Sequence, residues 1–228
     1  MTRRLSSLTL DNLEDLPSSC RSCVAWELDP VAACTLESAT DAHLQKQGWL
    51  TQTLLQWGSC GLLGYVDEEV AGFLTYAPSG FVPRSLTFPT SPISPDAVLL
   101  MTGGVTLEHR RAGIARMLAQ GVAKDLTRRG VRAIECFATT HAPSRDDPDV
   151  DLGCTPGCLL PASFLLAVGF KTIRPHRDTP RLRLDLRAAV SWREDVEHAL
   201  EKLLGTVRVP TFAPMSQPPT VPLHRSRG

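Results

Sequence analysis

The stretch Ala97-Val98-Leu99-Leu100-Met101-Thr102-Gly103-Gly104-Val105, continuing as Thr106-Leu107-Glu108-His109-Arg110-Arg111-Ala112-Gly113-Ile114-Ala115, decides how this chain is read. Ala97 to Met101 is an unbroken apolar run between Pro95-Asp96 and Gly103-Gly104, the pattern of a strand buried on both faces. Between Ile114 and Arg129 the period changes. Ile114, Met117, Leu118, Val122 and Leu126 form one apolar stripe, while Arg116, Lys124, Arg128 and Arg129 lie off it. Gly130 stands where such a helix stops. A strand that turns tightly into a helix leaves the helix's first backbone N–H groups without partners. Those donors, with the positive end of the helix dipole, suit an anion and above all a phosphate. Gly113 lets the backbone approach such a ligand closely, and Arg110 and Arg111 add positive charge. The turn has neither the Gly-Lys-Ser/Thr of a Walker A loop nor a G-x-G-x-x-G fingerprint. A plain surface helix entered through a glycine turn would look the same over these few residues.

Outward from this centre, the chain alternates strands and helices. Residues 6–16 read as a short strand running into a polar turn. Asp29-Pro30 reads as a helix start, with Asp as cap and Pro where no hydrogen bond is lost. Residues 30–57 read as two helices broken near Ser38 to Asp41, ended by Gly58-Ser59-Cys60-Gly61. Leu62–Val66 and Val70–Ala77 make a hairpin across Asp67-Glu68-Glu69. Residues 78–95 hold five prolines and no helical period, so they form a loop. After the central helix come a strand over Val131–Ala138, an acidic loop over 139–157, and an apolar helix over Leu159–Val168 ended by Gly169. Strands near Phe170–Ile173 and Leu182–Leu186 follow. Ser191-Trp192-Arg193-Glu194 is a capping box that opens an amphipathic helix, which could pack on a second copy as a homodimer. This order predicts an α/β (α+β) fold with one central sheet, residues 1–205 forming one domain and the Pro-rich residues 206–228 a disordered tail.

The stretch Val98 to Ala115, and above all Arg110-x-x-Gly113-x-Ala115, resembles the R/Q-x-x-G-x-G/A motif of the GNAT N-acetyltransferases. The hairpin, strand, loop, long helix, strand and helix ending in Val168-Gly169-Phe170 are similar to that family's element order over roughly residues 5–187. The early Leu8-Thr9-Leu10-Asp11 to Leu16-Pro17 looks like its first strand and turn. The resemblance implies a mixed, mostly antiparallel sheet flanked by helices, whose fourth and fifth strands splay to admit the pantetheine arm of acetyl-CoA. Carried over, Gly103, Gly104 and Val105 would meet the pantetheine amides, and Arg110, Arg111, Ala112, Gly113, Ile114 and Ala115 would hold the pyrophosphate. An acetyl group would pass by direct attack to a primary amine of a small molecule or peptide. A carboxylate near the two strands would take the amine's proton, which singles out Asp96 and Glu135, with Glu108 behind them. Each also reads as an ordinary turn, cap or strand residue. Many family members carry a tyrosine four residues before the Gly-Phe pair, to protonate the leaving thiolate. Here that position is Leu165, beside Phe164. A non-catalytic acyl-CoA sensor or complex subunit is therefore the alternative.

Bulk properties narrow the field. Lys plus Arg equals Asp plus Glu at 24 each, so no basic excess points to nucleic acid. No run of 18 apolar residues suggests a membrane span, and Arg3-Arg4 is followed by no apolar leader core. A cytoplasmic protein with reduced thiols is the expectation for its seven cysteines. Cys20-x-x-Cys23 and Cys154-x-x-x-Cys158 could supply four thiolates to a structural zinc, although the spacing matches no familiar ribbon and packing is the commoner use of cysteine. No metal is expected. Cys136 could accept an acyl group, but buried packing is the stronger reading, and His109 reads as a solvent-facing loop residue. Asp146, Asp147, Asp149 and Asp151 would favour a cationic acceptor if their loop faced the cleft.

Overall fold

The computed structural model describes residues 2–141 and 158–186. Within them the order is β1 (Arg3–Ser7), α1 (Ser18–Arg21), α2 (Pro30–Cys34), α3 (Ala39–Gln56), β2 (Gly61–Val66) and β3 (Glu69–Ala77). Two 3-10 turns lead to β4 (Ala97–Val105), then α4 (Ile114–Arg128), β5 (Ala133–Thr139), β6 (Leu160–Pro161), α5 (Ala162–Ala167), β7 (Lys171–Arg174) and β8 (Arg181–Asp185). The Ser191 capping box, its helix, the domain boundary at 205, the tail, Cys154 and the acidic loop's Asp146, Asp147, Asp149 and Asp151 lie outside the described residues.

Local chemistry sets most boundaries. Asp29 caps α2 by accepting from the Val31 and Ala32 N–H groups, and Ser38 caps α3 by accepting from Asp41 N–H. The helical region therefore breaks at 35–38, as expected. Several boundaries differ from the sequence reading, two of them for a plain local reason. The first strand ends at Ser7, because Asn12 accepts from Thr9 N–H at 2.8 Å and donates to Ser7 O at 2.9 Å, bending the chain into a turn. The apolar helix begins at Ala162, not Leu159: proline biases the residue before it toward extended backbone, and Leu160–Pro161 pair with β5 as β6.

The sheet runs β1-β2-β3-β4-β5-β8-β7, antiparallel except where β4 and β5 run parallel. Two cores cover its faces. Alternation along β4 sends Leu99 and Met101 to one, with Trp26, Trp49 and Leu50 from the N-terminal segments. Val98 and Leu100 go to the other, with Ile114, Leu118, Val122 and Leu126 of α4 and Leu165 of α5. The α4 stripe read from the sequence is thus the face that packs on the sheet. At the end of α4, the buried Tyr76 hydroxyl donates to Asp125 Oδ2 at 2.8 Å, and Arg129 lies 3.7 Å from the Trp57 ring centroid. Tyr76→Phe is expected to cost about 1 kcal/mol in urea unfolding, the usual net value of one hydrogen bond, with the slope unchanged.

Candidate functional site

The β4–β5 pair is the feature that makes a site. Pairing runs only from Ala97↔Ala133 to Leu99↔Glu135 among the described residues. β5 has one other edge, and β8 occupies it along Ala133–Phe137. The parallel β6 therefore takes the β5 edge that β4 leaves, at Ala138↔Leu160 and Thr139↔Pro161. The outcome is a wedge, with the second half of β4 on one side and β6 with α5 on the other.

A groove of about 150 Å³ fills this wedge on the α4 side. Gly103, Gly104 and Val105 form one wall; Leu160, Pro161 and Phe164 form the other. Arg110 and Ala115 lie at its α4 end, so the groove opens onto the start of that helix. The entry is built by two left-handed residues, Arg111 at φ 62° and Gly113 at φ 82°. Gly113 is the N-cap, and no side chain caps the helix. Among the described residues, no backbone acceptor outside the helix takes the N–H groups of Gly113, Ile114, Ala115 or Arg116. An uncapped helix start with clustered donors fits a phosphate or pyrophosphate group. His109, expected to face solvent, is instead half-buried with Nδ1 2.8 Å from Thr106 Oγ1, because the loop folds it back on the strand end.

Beneath the same part of β4, on the opposite face, lies a small, partly open pocket with about 10 Å³ of free space, room for one water. A β-bulge produces its polar edge. Thr75 pairs with Thr102, and Tyr76 with Leu100, so Met101 is the extra residue. The bulge turns Thr102 toward this pocket beside Thr75, whose hydroxyl donates to Thr102 O. Glu27 and Lys46 also line it, as a buried ion pair 2.5 Å apart with side chains 1% and 6% exposed. Lys46 Nζ donates further to Cys23 O at 2.9 Å. Cys20, Cys23 and Cys158 complete one side. The sequence reading missed Glu27 and Lys46. The available signal was a single acid inside the apolar run Val24-Ala25-Trp26-Glu27-Leu28.

Asp96, expected near the chemistry, stands just before the closed end of the strand pair, and Glu135 stands at its last paired position, Leu99↔Glu135. Asp96 is held bidentate by Arg183 at 2.9 Å through each oxygen, and these bonds lower its carboxyl below the ordinary value. Glu135 is fully buried. Its Oε1 accepts from Arg183 at 3.1 Å; its Oε2 accepts from Ser94 N–H at 3.1 Å and lies 3.2 Å from Arg181. Neither lines the groove or the small pocket. Strand parity explains the placement: Glu135 shares a face with Ala133 and Phe137, and that face is covered at this level by β8 arginines and core. Glu108 lies in the exposed 3-10 turn Leu107–His109. Cys136 is fully buried in the α4-side core, where burial raises its thiol well above the ordinary value, so it has no route to an acyl donor. Among the described residues no group of three or more His, Cys, Asp or Glu is placed to hold a metal ion. No helix among them is long and apolar enough to cross a membrane.

No family model and no curated protein sequence matches the chain. Solved structures match in three dimensions. A crystal structure of an acetyltransferase aligns at TM-score 0.50 with 14% identity, over 80% of this chain and 99% of that one. The PaiA N-acetyltransferase of Thermoplasma acidophilum, in complex with coenzyme A, aligns at 0.49 with 14% identity, over 81% and 99%. A ribosomal-protein-alanine N-acetyltransferase of Brucella melitensis aligns at 0.48 with 14% identity, over 80% and 99%. At such identity the likeness speaks for architecture alone. With its eight-stranded mixed sheet, its splayed β4 and β5, and its helix start at the mouth of the splay, this chain has the fold of the GNAT N-acetyltransferases.

Proposed function

We propose that this protein binds acetyl-CoA and transfers its acetyl group to a primary amine of a small molecule or peptide. The observation that carries the reading is the continuity of the groove. One end meets the uncapped donors of Gly113 to Arg116, and the other follows the β4 edge at Gly103–Val105. The N–H groups at the α4 start, with Arg110, Arg111 and Ala112 in the entry loop, would hold the pyrophosphate. The β4 edge would position the pantetheine arm by main-chain hydrogen bonds, as an edge strand receives any extended chain. Acetyl-CoA supplies an activated thioester. The chain's contribution is orientation of that group against an amine arriving from the opposite face, beside Thr75 and Thr102. Glu27, the carboxylate lining that pocket, would take the amine's proton in place of Asp96 and Glu135, which line neither pocket, once its ion pair with Lys46 opens.

Purified protein mixed with acetyl-CoA and a panel of primary amines is expected to release free CoA with at least one of them, at a rate above the amine-free control. Glu27→Gln, assayed well below its melting temperature, is expected to lower kcat by roughly 100-fold while acetyl-CoA affinity stays within about twofold, in the range for loss of a general base. A protein that binds no acetyl-CoA overturns the reading.

One observation favours a second reading. Leu165, where many GNAT enzymes carry a tyrosine, is buried in the core, and the side chain facing the groove is Phe164. No hydroxyl from α5 reaches the groove. Tight acetyl-CoA binding without turnover across the panel would mark an acyl-CoA sensor or complex subunit.

A further inference from the structure

The cysteines first read as metal ligands are arranged differently in space. Cys23 Sγ and Cys158 Sγ lie 3.6 Å apart although 135 positions separate them in the chain. Cys23 follows α1, and Cys158 precedes β6 in a left-handed conformation at φ 57°. The Cys158 carbonyl accepts from Trp26 Nε1 at 3.3 Å, and Lys46 Nζ holds the Cys23 carbonyl. Both backbones are thus tied to the same buried cluster, which keeps the two sulfurs facing each other. Both residues are half-buried, whereas Cys20, Cys60 and Cys136 are buried. Cys34 is exposed.

We propose that Cys23 and Cys158 are a reversible disulfide site, oxidised by exchange with a low-molecular-weight disulfide such as oxidised glutathione. The bond between their sulfurs needs a shift of about 1.6 Å, since a disulfide spans about 2 Å. Cys23 keeps its proton: its hydrogen bond to Cys158, then burial, raise its thiol well above the ordinary value. The exchange balances with either thiol attacking first. With Cys158 first, its thiolate attacks one sulfur of oxidised glutathione, forms a mixed disulfide and releases one glutathione thiolate. Cys23 then loses its proton to solvent and attacks the Cys158 sulfur, releasing the second glutathione. Two cysteine thiols are oxidised, and one glutathione disulfide is reduced to two thiols. Neither coenzyme nor amine enters this step, so the inference stands apart from the acyl-transfer reading.

The test is cysteine mapping on the folded, full-length protein. After incubation with oxidised glutathione and alkylation of remaining thiols, digestion is expected to yield a peptide joining Cys23 to Cys158, lighter by two hydrogens than its parts. Cys34 is expected to stop at a glutathione adduct, as an internal control for a thiol with no partner sulfur against it among the described residues. In Cys23→Ser, Cys158 is expected to keep glutathione as a stable mixed disulfide. The proposal is overturned if wild-type Cys158 stays alkylatable, stops at the glutathione adduct, or is joined to any cysteine other than Cys23. Mapping of the wild type decides this even where the serine variant fails to fold.

Discussion

Glu135→Ala is expected to destabilise the protein by about 3–5 kcal/mol, the cost of breaking a buried ion pair from one side. Glu135 has no exposed surface, and its oxygens face Arg181, Arg183 and the Ser94 N–H. Arg181 is 5% exposed, and its Nε and Nη1 have no hydrogen-bond partner, so the Glu135 carboxylate is the nearby charge that balances it. Removing that carboxylate leaves a buried guanidinium without its counter-charge, and the Ser94 N–H without an acceptor. A domain of this size has roughly 5–15 kcal/mol of stability, so the loss is a large share of the whole. Urea unfolding of Glu135→Ala and Glu135→Gln checks this, with both variants expected to lose most of that amount. Asp96→Asn is the milder companion. Its ion pair with Arg183 is partly exposed, and screened pairs of that kind contribute up to about 1 kcal/mol.

That contrast shows where reading the sequence stops. The β4–loop–α4 unit was legible because each signal is local: an apolar run, a glycine turn, and a change to helical period within one stretch. The same locality gave the hairpin, whose turn places Asp67 and Glu68 at positive φ, and the Asp29 cap. Glu135 was visible as a charge inside Ile134-Glu135-Cys136-Phe137, but nothing near it in the chain distinguishes a base at a cleft from half of a buried ion pair. Its partners lie on β8, which only strand pairing brings alongside. Glu27 and Lys46 are 19 positions apart and look like two surface charges until the fold buries them together. β6 is too short to carry any period, yet it occupies the wedge beside β4 and supplies a wall of the groove. Local pattern shows where an anion would rest. The opposite side of the site is built from contacts between distant segments.

Two glycines in the legible stretch make the last expectation, because they are glycines for different reasons. Gly103→Ala is expected to cost about 1–3 kcal/mol and to lower acetyl-CoA affinity by tenfold or more. A Cβ there would stand 2.2 Å from Leu74 Cδ2 and 2.6 Å from the Phe73 carbonyl oxygen. The leucine could turn away, but the carbonyl belongs to the β3 backbone, so β4 itself must move. That movement reshapes the wall along which the pantetheine arm is proposed to lie. At Gly113 the nearest atom to such a Cβ is Arg3 Nη1 at 3.9 Å, so space is not the constraint. Its φ of 82° is, and a side chain held in the left-handed region costs about 1–2 kcal/mol. The two substitutions therefore cost similar stability, but their effects on ligands should separate. Gly113→Ala strains the pyrophosphate turn, so affinity for free CoA and for acetyl-CoA should fall together. It should also weaken binding of 3′-phosphoadenosine 5′-diphosphate, the coenzyme fragment that carries the pyrophosphate. Gly103→Ala should leave the fragment's affinity near wild type and affect only ligands with the pantetheine arm. Calorimetric titration of both variants with fragment and whole coenzyme reads the difference directly. Equal losses for the fragment in both variants would mean that the β4 wall and the α4 turn do not divide the ligand as proposed.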